Sequence, residues 1–282
     1  MTLAHIFENP FLWMALLGGL AASLTSGIIG SYVVTKRIVF ISGSISHSVL
    51  GGMGLFLWLK RSFFLTYLTP LQGACLFAVF SAFLLGWIHL RYKEREDSII
   101  AAIWATGMSI GVIFITLTPG YNVELMNFLF GNILWTTSQD VLMLLGMDTL
   151  ILLSTLFFYR RFQAICFDEE QSLLQGLRVQ WLYIFLLCLV ALSVVVLIQV
   201  VGAILVIALL TMPSAMAARF THKLSSMMKL SVLLGALFTT LGLWISYQIN
   251  WPPGATITLI AAVFYLLSLG SQKLKHLSFL RK

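Results

Sequence analysis

Charge-free hydrophobic runs, separated by short basic or polar stretches, recur along the whole chain at the length of a membrane-spanning helix. About 20 mostly apolar residues cross the hydrocarbon core as a helix. Cut on that ruler, the runs predict spans over 11–34, 43–59, 64–89, 98–117, 141–159, 181–198, 200–217, 229–249 and 254–271. That makes nine spans, or eight if one segment is re-entrant. Two uncharged tracts, Val179 to Ala218 and Leu230 to Gln272, are about two bilayers long and must fold back on themselves. Their breaks are predicted near Gln199–Gly202 and at "NWPPG", Asn250 to Gly254. There Pro252 and Pro253 lack N–H groups and disfavour helix at the residue before each. No linker, soluble domain or fixed-period repeat interrupts the pattern, so residues 1–282 are read as one all-α, polytopic membrane domain.

Composition agrees with the pattern. Hydrophobic residues make up 60% of the chain and charged residues 10%, with a mean hydropathy of +0.98; ordinary soluble domains are roughly 45–50% apolar and about 25% charged. The net charge of +7 changes meaning once its sources are placed. With the C-terminus in the cytoplasm, every Lys and Arg falls in an inner loop or tail except Lys60 and Arg61. Basic residues stay on the cytoplasmic side of membrane proteins, so the charge reports topology, and nucleic acid has no place as a partner. The start, "MTLAHIFENPF", has no basic segment before its apolar run, and a cleavable signal peptide is not expected. Cys75, Cys166 and Cys188 are scattered, without the spacing of a disulfide framework or zinc knuckle. The chain contains neither a G-x-x-x-x-G-K-[ST] phosphate loop nor an H-E-x-x-H pair, which argues against an ATP site or a zinc protease in this polypeptide.

A few residues break the apolar monotony. His47 sits in the charge-free run from Ile38 to Leu59, inside "SGSISHSVLGG". Ionisable groups are expensive in the hydrocarbon and mark functional sites by default, and imidazole suits zinc and other late first-row divalents. Its helical neighbours Gly43, Gly51 and Gly54 leave a bare stripe, which either admits another helix closely or lines a passage. The flanking Ser42, Ser44, Ser46 and Ser48 satisfy local polar needs. Asp148, in "LMLLGMDTLILL", is the one acid deep in a predicted span, as a metal relay or a helix-to-helix partner. Glu124 lies in the polar stretch 117–141 at the outer face, either attracting cations or simply solvated. The scattered methionines read as packing. On the cytoplasmic side the longest hydrophilic connection, 160–180, contains "DEEQSLLQGL". Acids at its start and a glycine near its end fit a short surface helix, with a solvated loop as the other reading.

The stretch "QVVGAILVIALLTMPSAMAARF", residues 199–220, resembles the permease subunits of bacterial ABC importers for zinc, manganese and iron. "KRIVFISGSISHSVLGG", "EDSIIAAIWATGMSIGVIF", "FLFGNIL", "FDEEQSLLQGL" and "WPPGATITLI" match in the same order, over nearly the whole chain. The resemblance implies a type II importer permease in the bacterial cytoplasmic membrane. It works with a second copy of itself or a homologous permease, a pair of cytoplasmic ATPase subunits and an external metal-binding protein, all among membrane lipid. It also implies that the chain is not itself an enzyme and holds no permanent cofactor, the divalent metal being cargo. Asp168, Glu169, Glu170, Leu174, Gly176 and Leu177 then fall in the segment that docks on the ATPase. His47, with Asp148 and Glu124 as further candidates, falls on the ion pathway. Many relatives carry an aspartate four residues before the histidine, where this chain has Gly43. A different class of function, a self-sufficient secondary carrier or an intramembrane enzyme, would use His47 and Asp148 as acid–base residues.

Overall fold

The computed structural model describes residues 10–91, 96–120, 128, 131 and 133–279. In chain order its helices are α1 (Pro10–Thr35), α2 (Val39–Ser62), α3 (Pro70–Arg91) and α4 (Glu96–Leu117). A single 3-10 turn (Ile133–Trp135) precedes α5 (Ser138–Phe167), the short α6 (Glu169–Leu174), α7 (Val179–Val201), α8 (Ala203–Phe220), α9 (Leu224–Ile249) and α10 (Pro253–Phe279). All of these helices except α6 are long and apolar enough to cross a membrane, giving nine candidate spans among the described residues.

The helix breaks follow local chemistry. The expected reversal after Gln199 falls at Gly202, whose φ of +80° separates α7 from α8. The reversal at "NWPPG" is made by Asn250, left-handed at φ 53°, ahead of Pro252 and Pro253. α5 begins with a capping box, in which Thr137 and Asp140 satisfy each other's backbone N–H groups. α5 also outruns its predicted span of 141–159, because "RRFQAICF" continues the helix about two turns into the basic side. Hydropathy stops at the first arginine, but helix propensity does not.

α1, α2 and α7 are the most buried helices, and α4, α5 and α10 the least. α1 packs against α5, α7, α8 and α9, while α2 lies between α3 and α4 and also touches α7. Small hydroxyls join α1 to α9 and α9 to α8. Ser23 and Thr239 Oγ atoms are 3.2 Å apart, and Ser231 Oγ reaches Ser214 Oγ at 3.1 Å. Apolar burial gives little drive between helices in lipid, so such polar contacts and close packing hold the bundle.

α2 and α4 pack backbone to backbone. A Cβ placed on Gly54 would lie 2.6 Å from the Gly111 carbonyl oxygen, and one on Gly107 would lie 2.5 Å from Ser48 Cα. Glycine is therefore required at this crossing, and the contact fixes the register of the two helices that carry the site described next.

Candidate functional site

His47 lies on the half-covered side of α2, with its imidazole stacked on the Trp104 indole of α4. The ring centroids are 4.4 Å apart and the planes 10° off parallel. Nδ1 is enclosed without a hydrogen-bond partner, whereas Nε2 is not enclosed. A buried polar atom left unsatisfied is rare enough to need a reason. Here the indole holds the ring's plane and no protein group hydrogen-bonds Nδ1.

The glycine stripe around His47 divides into two functions. Gly51 and Gly54 are used up in helix packing, since Cβ atoms there would meet the Gly107 and Gly111 carbonyl oxygens at 2.8 and 2.6 Å. Gly43, one turn before His47, is different. A Cβ there meets only Trp104 Cζ3, at 3.8 Å, which is ordinary contact. The indole thus lies flat across both Gly43 and His47, and the position still has room for a side chain.

The serines around the histidine are spent on structure. Ser42, Ser46 and Ser48 donate to carbonyls of α2 or its first turn, and Ser44 donates to the Ile100 carbonyl of α4 at 3.0 Å. Ser48 Oγ also lies 2.9 Å from Ser81 Oγ on α3.

Asp148 is held elsewhere. It is 3% exposed between α5 and α1, where Thr25 Oγ1 donates to its Oδ1 and its Oδ2 has no partner. α2 and α5 do not pack along each other, so His47 and Asp148 belong to different helix pairs. Glu124 lies outside the described residues. No group of three or more His, Cys, Asp or Glu that could cage a metal occurs among the described residues.

The basic side of the molecule carries a second surface. Asp168 ends α5 and caps α6, its carboxylate accepting from Gln171 N at 2.9 Å. Glu169 pairs with Lys36, at the end of α1, at 2.5 Å, and Lys36 also donates to the Ile165 carbonyl at 3.0 Å. Glu170 and Gly176 are exposed and Leu177 is half-buried. Leu174 is 89% exposed and Leu173 57%, leucines displayed on a polar face and pinned from behind by a lysine. Gly176 turns the chain out of the helix at φ +76°.

Sequence reading did not single out Trp104, Thr25 or the anchoring role of Lys36. Each makes its contact across helices, with |i−j| of 123 for Thr25–Asp148 and 133 for Lys36–Glu169. For Trp104 no signal in its own run, "EDSIIAAIWATGMSIGVIF", separates it from a lipid-facing aromatic.

Comparison with known proteins gives one answer. The ABC 3 transport family matches residues 8–272. A Chlamydia pneumoniae protein described as a "probable metal transport system membrane protein" is 47% identical over 257 residues, covering 91% of this chain and 87% of that one. The manganese transport system membrane protein MntC of Listeria innocua is 30% identical over 266 residues, covering 94% and 92%. Among solved structures, PsaBC from Streptococcus pneumoniae superposes with a TM-score of 0.82 at 30% identity, covering 94% of this chain and 93% of that one. With its family match running nearly end to end and nine apolar helices among the described residues, the chain belongs to the ABC 3 transport family, as a multi-span membrane permease.

Proposed function

We propose that the chain is the membrane-spanning subunit of an ATP-driven importer of a divalent transition metal, zinc, manganese or iron, in a bacterial cytoplasmic membrane. The observation that carries this reading is the His47–Trp104 pair, an imidazole in the charge-free run from Ile38 to Leu59, oriented by an indole and with its Nδ1 bound to no protein group. Imidazole ligates late first-row divalents, and the metal transport relatives from Chlamydia and Listeria support that class of cargo. A permeating ion must also leave. One imidazole per copy, without a cage of carboxylates, fits transient contact better than storage.

Assembly follows from the surfaces left open. α4 is buried over only 22% of its apolar window, and its exposed side carries Ala101, Ala102, Ala105, Thr106 and Ser109. Small side chains permit close helix approach in lipid. A second permease copy covering this side would bring two His47–Trp104 pairs towards one seam. On the basic side Leu173, Leu174 and the acids of α6 form the docking surface for a separate ATPase subunit, and an external metal-binding protein delivers the ion. Asp148 serves as a helix-to-helix clamp with Thr25. Its separation from His47 weighs against an acid–base pair of the kind a secondary carrier or intramembrane enzyme would need.

The test is reconstitution of the chain in vesicles with a candidate ATPase subunit and metal-binding protein. ATP-dependent accumulation of zinc, manganese or iron is expected. Uptake by the chain alone, driven by a proton gradient, would replace the proposal with the carrier reading.

A further inference from the structure

Two apolar clefts open on either side of the start of α7, on the side of the molecule that carries the basic loops. One, of about 560 Å³, runs between α5 and α7 and has Arg161 and Arg178 on its rim. The other, of about 710 Å³, runs between α3 and α7 and has Arg91 and Trp87 on its rim. Trp181 and Phe185, one turn apart on α7, line both clefts and form the ridge between them. Trp181 is 73% exposed.

Each cleft joins an apolar trough to a cationic rim. Arg91 lies over the Trp87 ring at 6.0 Å and Arg161 over the Phe158 ring at 5.6 Å, so both guanidinium groups are held against the apolar walls. No carboxylate among the described residues pairs with Arg91, Arg161 or Arg178. Exposed tryptophans beside arginines at helix ends mark the interfacial belt of a membrane protein. Basic pockets between transmembrane helices on the cytoplasmic side suit acidic headgroups, and guanidinium forks match phosphate oxygens in pairs.

We infer that the clefts flanking the Trp181–Phe185 ridge are a binding site for a membrane phospholipid with an anionic headgroup. The phosphate sits at the arginine rim of a cleft, Arg91 on one side of the ridge or Arg161 with Arg178 on the other, and the acyl chains lie in the trough beneath it. Charge selects the occupant. A zwitterionic lipid would bring its own cation to an already cationic rim, and a free phosphate would leave the troughs empty.

The assembled complex, extracted in mild detergent, would be incubated with phosphatidylglycerol, phosphatidylethanolamine or inorganic phosphate and its bound lipid counted by native mass spectrometry. Phosphatidylglycerol is expected to be retained preferentially. Retention should fall several-fold in the combined Arg91→Gln, Arg161→Gln, Arg178→Gln variant, and remain unchanged in Arg160→Gln, an exposed neighbour off the rim. In vesicles containing brominated phosphatidylglycerol, the wild-type complex should lose a component of tryptophan fluorescence that Trp181→Phe lacks, a readout that needs no arginine change. Equal retention of both lipids, displacement by inorganic phosphate, or no retention once the ATPase is bound would overturn the assignment. The last outcome would give the clefts to the protein partner.

Discussion

A single imidazole can act in a membrane only if something holds it, and here that role falls to an aromatic ring. Stacking at 4.4 Å fixes the plane of His47 without using either nitrogen. A hydrogen bond, by contrast, would have occupied one. Gly43 leaves open space beside the indole, and that space makes a specific prediction. Gly43→Asp should fold normally, since its Cβ meets nothing nearer than 3.8 Å. It would place a carboxylate one turn from the imidazole, so metal should be held longer and released more slowly, measured as lower turnover at unchanged assembly. Unchanged release kinetics would remove Gly43 from the ion's surroundings. Asp148 predicts the opposite pattern. Asp148→Ala removes an interhelical bond worth about 1 kcal/mol in a membrane protein, while Asp148→Asn keeps an acceptor for Thr25. A lowered melting temperature in detergent for Ala alone, with metal preference intact in both, would fit a clamp. Altered metal preference would make it a pathway residue.

At the scale of elements, the spans were legible because hydropathy and proline chemistry act locally. "NWPPG" announces its turn in five residues. The acid-led, glycine-ended α6 was legible for the same reason, since the Asp168 cap and the φ of +76° at Gly176 are properties of adjacent residues. The α2–α4 crossing was only half legible. Glycines spaced along α2 announce a close neighbour or a passage, but Gly107 and Gly111 reveal which only once the two helices are in register. Gly54→Leu should therefore disrupt the bundle, because a side chain there strikes the Gly111 carbonyl at 2.6 Å. Such overpacking costs about 1–3 kcal/mol, visible as loss of monodisperse protein on size exclusion. Full recovery would mean that the helices are free to slide. At α6, a branched side chain at the positive φ of Gly176 stores about 1–3 kcal/mol of backbone strain. Gly176→Val should thus weaken ATPase association and leave membrane insertion intact. Undiminished, transport-coupled ATP hydrolysis would show that the docking surface lies elsewhere.

For the whole molecule, the distribution of basic residues puts α6 on the basic side, and the family match runs over the nine apolar helices found among the described residues. The two sites then have separate tasks. The α6 face, braced by Lys36–Glu169, meets the proposed ATPase, and the His47–Trp104 pair meets the proposed ion. Cysteines introduced over 168–176 should label from the cytoplasm and those at Asn250–Gly254 from outside, and the reverse pattern would invert the map. The most direct measurement is metal uptake by the reconstituted complex carrying His47→Ala or His47→Gln, with the amount of assembled complex monitored alongside. Loss of one ligand from a site with few is expected to lower uptake about tenfold or more in both variants, with assembly unchanged, because Gln keeps a hydrogen-bonding group but is a poor ligand for these metals. Near-normal uptake in His47→Gln would contradict the account and leave the histidine as a packing residue.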